Sequence, residues 1–365
     1  MTDLAIVLVH YRTPELVAPA VAALVRDLAS ASLGGELLLV DNGSEAADQE
    51  SWRGLPIRRL DAGANLGYAG GAALGIAASR APRLVVMNPD VEVRPGCLAR
   101  LVAALDDGAD VAGPEFYWDR AATLRLPPTE RRTPADEIVT LLGRRFATFA
   151  PRARRRWRRH AQRHWRATGP IESETLSGAM LAFRRAAWDR IGPFDDGFRL
   201  YFEETDWLLR LVRAGGRAVY EPRASAHHWY AQSSLGEPAS ASWFLESERR
   251  FRSRHYGAAT TALLDALGPH GKAADATAPS PGSESAESGP EIDLGSPEER
   301  TPEGWLELSP LPCGYPAAAM ELAGVGRHWR VPDDVWERLP AGPLWVRQIG
   351  GDGAEIGRWS LRKPV

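Results

Sequence analysis

Short apolar runs alternate with Ala- and Leu-rich stretches through the first 115 residues, and this alternation most constrains the fold. The runs have the length of strands, and the stretches between them are long enough for helices. Such alternation is typical of βαβ units wound on a mainly parallel sheet, whose ligands bind at the carboxyl ends of the strands. We therefore predict an α/β fold. The predicted strands cover 4–11, 36–41, 57–61, 83–87 and 109–113.

The composition excludes several classes of protein. A net charge of -3 over 365 residues gives no global indication of nucleic-acid binding. The apolar runs LAIVLV and ELLLV are far shorter than the roughly 18 residues of a membrane span. The N-terminus has no basic leader, so we expect a cytoplasmic protein. Cys97 and Cys313 lack the spacing of a zinc site or a disulfide framework and are interpreted as packing residues.

Three changes in composition divide the rest of the chain. Residues 152–166 are dense in arginine and contain two tryptophans. Residues 269–303 are rich in Pro, Ser, Gly and Glu, and they have too few large apolar side chains to offset the entropy of ordering. We predict a disordered linker there and one larger domain over 1–268. Residues 304–365 contain four strand-like runs and are predicted to form a small β-rich module.

Two motifs lie where predicted strands end. The DNGS motif at 41–44 offers a carboxylate to a base N–H, although a plain turn is the alternative. The stretch NLGYAGGAALG at 65–75 places four glycines at the start of a helix, where backbone N–H groups can approach an anion. Close helix packing is the alternative for these glycines. The first strand ends in His10-Tyr11-Arg12 without a glycine, which disfavours a dinucleotide-binding oxidoreductase.

A cation site is a further hypothesis. Asp90 follows the apolar run LVVM, so it is carried to the carboxyl edge of the sheet, where an oxygen ligand suits a hard divalent cation. His227 and His228 follow the strand-like run RAVY, and a neutral imidazole can complete such a site. A turn at Asp90 and an ordinary surface or core role for the histidines are the alternatives.

The segment FDDGFRLYFEETDWLLRLVRAGG at 194–216 is the most informative in the chain. It places Glu203, Glu204 and Asp206 in the first turn of a predicted helix. The helix dipole favours acidic residues there, which accounts for one or two of them but less well for three. Asp206 and Arg210 are spaced i, i+4 and are expected to pair. Glu204 is then left as the candidate general base.

In this order, the motifs DNGS, NLGYAGG, NPD, SGAMLAFRR, FEETD and HHWYAQS closely resemble those of inverting family-2 glycosyltransferases, especially the bacterial rhamnosyltransferase-like branch. Each motif is weak alone, but six in the right order are specific. The resemblance covers residues 4–257. It implies the GT-A nucleotide-diphospho-sugar transferase fold, a mainly parallel sheet flanked by helices.

The resemblance also implies roles for individual residues. Tyr11 is expected near the nucleotide base, and Asp41 is expected to contact the base directly. Asn65 and Gly67 are expected close to the ribose and phosphates. Asp90 matches the aspartate that holds a divalent metal, Mg²⁺ or Mn²⁺, across the diphosphate.

His228 resembles the metal-side histidine of the family because of its spacing to Gln232-Ser233, with Ala231 in place of a glycine. The sequence departs from the family at Asn88, where many members carry a second aspartate, so the affinity for metal is expected to be modest.

The implied reaction is inverting transfer from a nucleotide-diphosphate-sugar, such as dTDP-rhamnose, to a hydroxyl of a glycan or glycolipid in cell-surface polysaccharide assembly. Glu204 is the expected catalytic base. It is one methylene longer than the family's usual aspartate, which leaves Asp206 as a competing catalytic residue. A sugar-1-phosphate nucleotidyltransferase and a non-catalytic carbohydrate-binding protein are the alternative functions.

The arginine-dense stretch 152–166 suggests an anionic partner. We expect it to meet a lipid-linked acceptor or the anionic inner face of the membrane, where a cytoplasmic enzyme would bind peripherally. A solvated basic helix is the alternative.

Overall fold

The computed structural model describes residues 3–44, 46–130, 132–146, 148–229, 240–268, 286–287, 289–296 and 303–364. The chain forms two compact units, each made from two stretches of sequence. The first unit comprises Met1–Phe116 and Arg166–Thr261, and the second comprises Tyr117–Trp165 and Ala262–Val365. No helix in the described ranges is both long and apolar enough to cross a bilayer.

The described residues form strands and helices with the following bounds. The strands are β1 (Leu4–His10), β2 (Gly35–Asp41), β3 (Arg58–Asp61), β4 (Arg83–Met87), β5 (Val91–Val93), β6 (Val111–Tyr117), β7 (Ile171–Glu172), β8 (Met180–Arg184), β9 (Ala218–His228), β10 (Ala286–Glu287), β11 (Glu291–Asp293), β12 (Trp305–Ser309), β13 (Ala318–Glu321), β14 (His328–Arg330), β15 (Gly342–Ile349) and β16 (Glu355–Lys363). The helices are α1 (Pro14–Ser30), α2 (Ala46–Glu50), α3 (Gly67–Ala77), α4 (Cys97–Asp106), α5 (Pro134–Arg145), α6 (Ala150–Trp165), α7 (Arg185–Ile191), α8 (Glu203–Arg213), α9 (Ser240–Tyr256), α10 (Ala258–Leu267) and α11 (Asp333–Arg338).

The sheet of the first unit has the strand order β3-β2-β1-β4-β8-β6-β9-β5, with β7 beside β9. The four strands from β3 to β4 are parallel, as the alternating pattern predicts. Beyond β4 the sheet becomes mixed, because β8 pairs antiparallel with both β4 and β6. The α/β fold class is confirmed, and the five predicted strands correspond to β1 to β4 and β6.

Helix α3 lies on β1 and β2 at a distance that only glycine permits. A Cβ atom at Gly71 would stand 2.6 Å from Cγ1 of Val9, and one at Gly75 would stand 2.2 Å from Cγ1 of Val7. Real Cβ atoms do not approach so closely, and the valines are buried strand residues that cannot move aside. These two glycines of the 65–75 cluster therefore serve helix packing.

The second unit contains a five-stranded sheet of order β10-β16-β15-β12-β13 and a separate β11-β14 pair. The four strand-like runs predicted after residue 303 correspond to β12, β13, β15 and β16, so the β-rich C-terminal module is present. Helix α6 packs in the same unit, where Trp157 and Trp165 share a buried cluster with Trp305 and Tyr315.

This arrangement differs from the predicted domain boundaries. Residues 117–165 group with the C-terminal sheet, whereas the sequence placed them in a domain over 1–268. Strands also occur inside the predicted linker, because Ile292 and Leu294 are buried and β11 pairs with β14. Most of the rest of 269–303 lies outside the described residues.

A buried ion pair joins α6 to the C-terminal sheet. The guanidinium of Arg158 meets the carboxylate of Glu307 through two hydrogen bonds, Nε to Oε1 at 2.6 Å and Nη2 to Oε2 at 2.8 Å. Both side chains are buried, and Nη1 of Arg158 also donates to the carbonyl of Gly353. Removing one partner would leave an uncompensated charge in the interior.

We expect Glu307→Ala to destabilise the second unit by about 3 kcal/mol or more, because Arg158 would stay buried without its carboxylate. The double variant Arg158→Met, Glu307→Leu removes both charges and fills the space with apolar side chains. It should therefore lose much less stability than Glu307→Ala. Thermal unfolding followed by circular dichroism measures both. A Glu307→Ala variant that melts like wild type would show that the pair contributes nothing.

Candidate active site

A cavity of about 340 Å³ opens in the first unit, where β1, β2 and β4 end. It brings together most of the side chains that the motifs single out. Its wall includes Tyr11, Asn42, Asn65, Gly67, Glu204 and His228. This is the edge at which parallel α/β sheets bind ligands.

His10 ends β1 and is fully buried. Its Nε2 accepts a hydrogen bond from the N–H of Thr13 at 2.9 Å, and its Nδ1 lies 3.0 Å from the hydroxyl of Ser44. Burial lowers the pKa of His10 to about 4, although the nearby carboxylate of Asp41 opposes the shift. A neutral imidazole therefore joins the loops that follow β1 and β2 and helps to fix Tyr11 in the cavity wall.

The carboxylate of Asp41 is buried and faces its own turn. Oδ1 accepts a hydrogen bond from the N–H of Ser44 at 2.9 Å, and Oδ2 lies 3.3 Å from Nη2 of Arg59. Asp41 lies outside the cavity wall, while the next residue, Asn42, is part of it. The structure thus places the DNGS motif at the site but directs its amide, rather than its carboxylate, to the cavity.

Asn42 holds the loop between β3 and α3 and was not predicted as a site residue. Its Nδ2 donates to Oδ1 of Asn65 at 3.2 Å and to the carbonyl of Gly67 at 3.0 Å, and its Oδ1 accepts from the N–H of Leu66 at 2.8 Å. These partners lie more than 20 residues away along the chain. A side-chain amide following a buried strand was the signal available in the sequence.

Gly67 starts α3 in a backbone conformation that other residues rarely adopt. Its φ is +71°, and a Cβ atom there would stand 2.7 Å from the carbonyl oxygen of Arg199. The N–H of Gly67 donates to Oδ1 of Asn65 at 2.9 Å. Gly67 is part of the cavity wall, so the N-terminal end of α3 reaches the cavity.

Asp90 and His228 meet although they are far apart in sequence. Strand β5 pairs antiparallel with β9, so Val91 lies opposite His228, and Oδ1 of Asp90 lies 3.4 Å from Nε2 of His228. Asp90 is fully buried, and the His228 ring lies 5.4 Å from that of Phe116. Gln232, Ser233 and Ala231 lie outside the described residues.

The Asp90–His228 pair supplies one carboxylate and one imidazole. Among the described residues, no three His, Cys, Asp or Glu side chains group as a metal site. A divalent cation needs more ligands than this pair provides. The pair therefore fits a divalent cation only as two of its ligands.

Helix α8 starts from an unusual turn. Tyr201 and Phe202 have φ values of 68° and 70°, which are rare for aromatic residues. The Phe202 ring packs against Phe244 and Phe251 of α9, and this apolar contact offsets the backbone strain. The turn brings Glu204, in the first turn of α8, to the cavity.

Glu204 lies against the SGAM segment. A Cβ atom at Gly178 would stand 2.9 Å from Cγ of Glu204, so glycine is needed there for the carboxylate to occupy its position. The carbonyl of Gly178 accepts a hydrogen bond from the hydroxyl of Tyr68 at 2.8 Å. Oε1 of Glu204 accepts from the hydroxyl of Thr205 at 3.2 Å.

The pKa values of the two other carboxyls in this turn are shifted in opposite directions. Glu203 is buried in the cavity wall, and burial together with the charge of Glu204 raises its pKa well above the usual range. Burial acts in the same direction on Asp206, but hydrogen bonds from His255 and Arg210, each 2.8 Å long, outweigh it and lower the pKa. Asp206 lies outside the cavity wall. Its pairing with Arg210 was predicted, whereas His255, 49 residues away, was not.

The sequence is similar to those of known glycosyltransferases. The sequence model of glycosyl transferase family 2 matches residues 5–192. The N-acetylglucosaminyl-diphospho-decaprenol L-rhamnosyltransferase of Mycobacterium tuberculosis, in two strains, is 34% identical over 241 residues. That alignment covers 60% of this chain and 75% of the mycobacterial protein.

Two solved structures are similar at low sequence identity. One is the mannosyltransferase PcManGT from Pyrobaculum calidifontis in complex with GDP-Man and Mn²⁺, which superposes with a TM-score of 0.44 at 13% sequence identity. The superposition covers 68% of this chain and 61% of the mannosyltransferase chain. The other is TarS 1-349 of S. aureus, with a TM-score of 0.46 at 13% sequence identity. The superposition covers 73% of this chain and 69% of the TarS chain.

The pKa of His10 makes a prediction about stability. Since the pKa is about 4 in the folded protein and 6.5 in an unfolded chain, the unfolded state binds more protons between these values. Stability should therefore fall as the pH drops from 6.5 to 4, by about 1 kcal/mol per pH unit from this residue. Urea unfolding of the wild type and of His10→Gln across this range measures the contribution. The variant should be less stable at pH 7 but show a flatter slope, and an unchanged slope would contradict the assignment.

Proposed function

The chain belongs to glycosyl transferase family 2 and is a glycosyltransferase, and from this premise we propose that it transfers a sugar with inversion from a nucleotide-diphosphate donor to an acceptor hydroxyl. The observation that carries the proposal is the shared cavity, whose wall includes both Glu204 and His228, the partner of Asp90. Family membership favours this function over a sugar-1-phosphate nucleotidyltransferase and over a non-catalytic carbohydrate-binding protein.

The substrates follow from the mycobacterial relative. That protein is named as an L-rhamnosyltransferase acting on N-acetylglucosaminyl-diphospho-decaprenol. We therefore assign L-rhamnose, carried by dTDP, as the donor sugar and a polyprenyl-diphosphate-linked amino sugar as the acceptor. Its product would be a lipid-linked disaccharide for the assembly of a cell-surface polysaccharide.

The donor is assigned to the edge formed by β1, β2 and α3. Tyr11, Asn65 and Gly67 all line the cavity. We assign the nucleotide base to the Tyr11 ring and the ribose and phosphates to Asn65 and Gly67, at the N-terminus of α3. The carboxylate of Asp41 already holds Ser44 and Arg59. This favours a role for Asp41 in positioning the base-binding turn over direct contact with a base.

Glu204 is assigned as the general base. It takes the proton of the acceptor hydroxyl while that oxygen bonds to the anomeric carbon, and the bond from this carbon to the diphosphate breaks on the opposite face. A divalent metal, Mg²⁺ or Mn²⁺, would be held by Asp90 and His228 and would stabilise charge on the diphosphate.

The other two carboxyls of α8 are less suited to that role. Burial, together with the charge of Glu204, raises the pKa of Glu203 well above its usual range. This shift favours the neutral acid, which cannot accept a proton. Asp206 is held ionised by His255 and Arg210, and it lies away from the cavity wall. Glu204 lines the cavity, which Asp206 does not, and we therefore assign the role of base to it.

We expect Glu204→Gln to lower kcat about 10²-fold or more with little change in donor binding, because the amide keeps the shape but cannot take a proton. Glu203→Gln is the matched control, since it imitates the neutral acid that burial already favours. Asp206→Asn should act mainly by lowering the melting temperature, through weaker bonds to His255 and Arg210. Single-turnover transfer by the purified variants decides the matter. Near-normal transfer by the Glu204 variant and collapse in a folded Asp206 variant would exchange their roles.

The metal assignment predicts a specific defect in two variants. Asp90→Ala and His228→Ala should each raise the Mn²⁺ concentration for half-maximal activity more than they weaken metal-free donor binding. His227→Ala is the neighbouring control and should leave the metal requirement unchanged. Activity is titrated with Mn²⁺ after treatment with EDTA, and donor binding is measured by calorimetry without metal. Full activity in EDTA would exclude the site.

A further inference from the structure

Helix α6 separates its arginines from its apolar residues. One face packs into the second unit through alternating small and large side chains; its buried members are Ala153, Trp157, Ala161 and Trp165. The opposite face carries exposed arginines at the i, i+3, i+4, i+7 and i+11 positions of one helical side. We call this set the arginine stripe, and it consists of Arg152, Arg155, Arg156, Arg159 and Arg163.

The arginine stripe does not help the helix to fold. Like charges at i, i+4 repel one another, and basic residues in the first turns oppose the helix dipole. Arg158 is turned inward and is neutralised by Glu307, while Arg156 pairs with Asp136 at the start of α5. Arg155 and Arg159 form no ion pair within the described ranges. The stripe thus concentrates positive charge on a chain whose net charge is -3.

The stripe borders a recess that suits phosphate groups. Arg152, Arg155, Arg156 and Arg159 line an open depression of about 280 Å³ together with Val139 of α5. Guanidinium groups recognise phosphate oxygens through paired hydrogen bonds. A recess with several guanidiniums and one apolar side chain matches a phosphate headgroup joined to an aliphatic glycerol backbone.

Two exposed phenylalanines stand at the end of the same helix. Phe146 and Phe149 lie in the turn between α5 and α6, with 44% and 40% of their surface exposed and their ring centres 6.4 Å apart. The guanidinium of Arg145 lies 5.6 Å from the Phe146 ring, and that of Arg152 lies 6.0 Å from the Phe149 ring. Aromatic side chains beside arginines are typical of elements that lie in the membrane interface.

We propose that the arginine stripe and the Phe146–Phe149 corner together form a docking surface for an anionic lipid bilayer. The arginines bind lipid phosphates, and the two phenyl rings enter the boundary between headgroups and acyl chains. This binding is separate from sugar transfer and requires neither donor nor acceptor. A nucleic acid is the less favoured partner, because the chain as a whole is acidic, with a net charge of -3.

The test is co-sedimentation of the full-length protein with vesicles of phosphatidylcholine alone or with about one third phosphatidylglycerol, at low salt. The triple variant Arg152→Gln, Arg155→Gln, Arg159→Gln should lower partitioning to the anionic vesicles about 100-fold. Each arginine is expected to contribute a factor of roughly five. Phe146→Ser, Phe149→Ser should lower it about tenfold and leave the dependence on anionic lipid intact.

A charge-matched control separates the surface from the overall charge. Arg26→Gln, Arg80→Gln, Arg362→Gln removes three exposed arginines from other places, and it should bind the vesicles like wild type. All changed side chains are exposed, so unchanged melting temperatures confirm that the variants fold. Equal binding to both kinds of vesicle, equal losses in the two triple variants, or binding to single-stranded DNA in place of vesicles would each overturn the proposal.

Discussion

The shape of the cavity depends most on the hydrogen bonds made by the side chain of Asn42. Its amide joins the end of β2 to the loop before α3, and this loop determines where Gly67 starts the helix. The glycines further along α3 then press the helix onto the valines of β1 and β2. The Asn42 amide therefore fixes where α3 starts, and close packing on the sheet fixes the direction of the helix. The N-terminus of this helix lies at the cavity. A residue of the same size without two donors and one acceptor cannot replace it.

Three carboxyls in one helical turn illustrate how surroundings decide chemistry. Burial raises the pKa of Glu203, hydrogen bonds from His255 and Arg210 lower the pKa of Asp206, and Glu204 lies in the cavity wall. Carboxyls in the same turn thus have pKa values shifted in opposite directions, because their surroundings differ. The aromatic turn before α8 costs backbone strain, and its contacts with α9 keep the arrangement in place.

Periodicity predicted the parallel half of the sheet because local apolar runs encode strands directly, as β1 and β4 show. The antiparallel insertion of β8 depends on pairing between distant segments, which no local pattern reveals. The same limit applies to the site. The pairing of Asp206 with Arg210 follows from helical spacing, whereas His255 and Asn42 act on partners brought near only by folding. The partnership of α6 with the C-terminal sheet was missed for a similar reason, since Arg158 and Glu307 are 149 residues apart.

The discontinuous second unit has a consequence for synthesis on the ribosome. Trp157 and Trp165 are made long before Trp305, their partner in the buried cluster. At typical rates of elongation this interval lasts on the order of ten seconds. During that time the apolar face of α6 is uncovered beside a row of mutually repelling cations, which discourages contact with other nascent copies. The exposed arginines of α6 thus oppose association between nascent chains while the buried tryptophan cluster is incomplete.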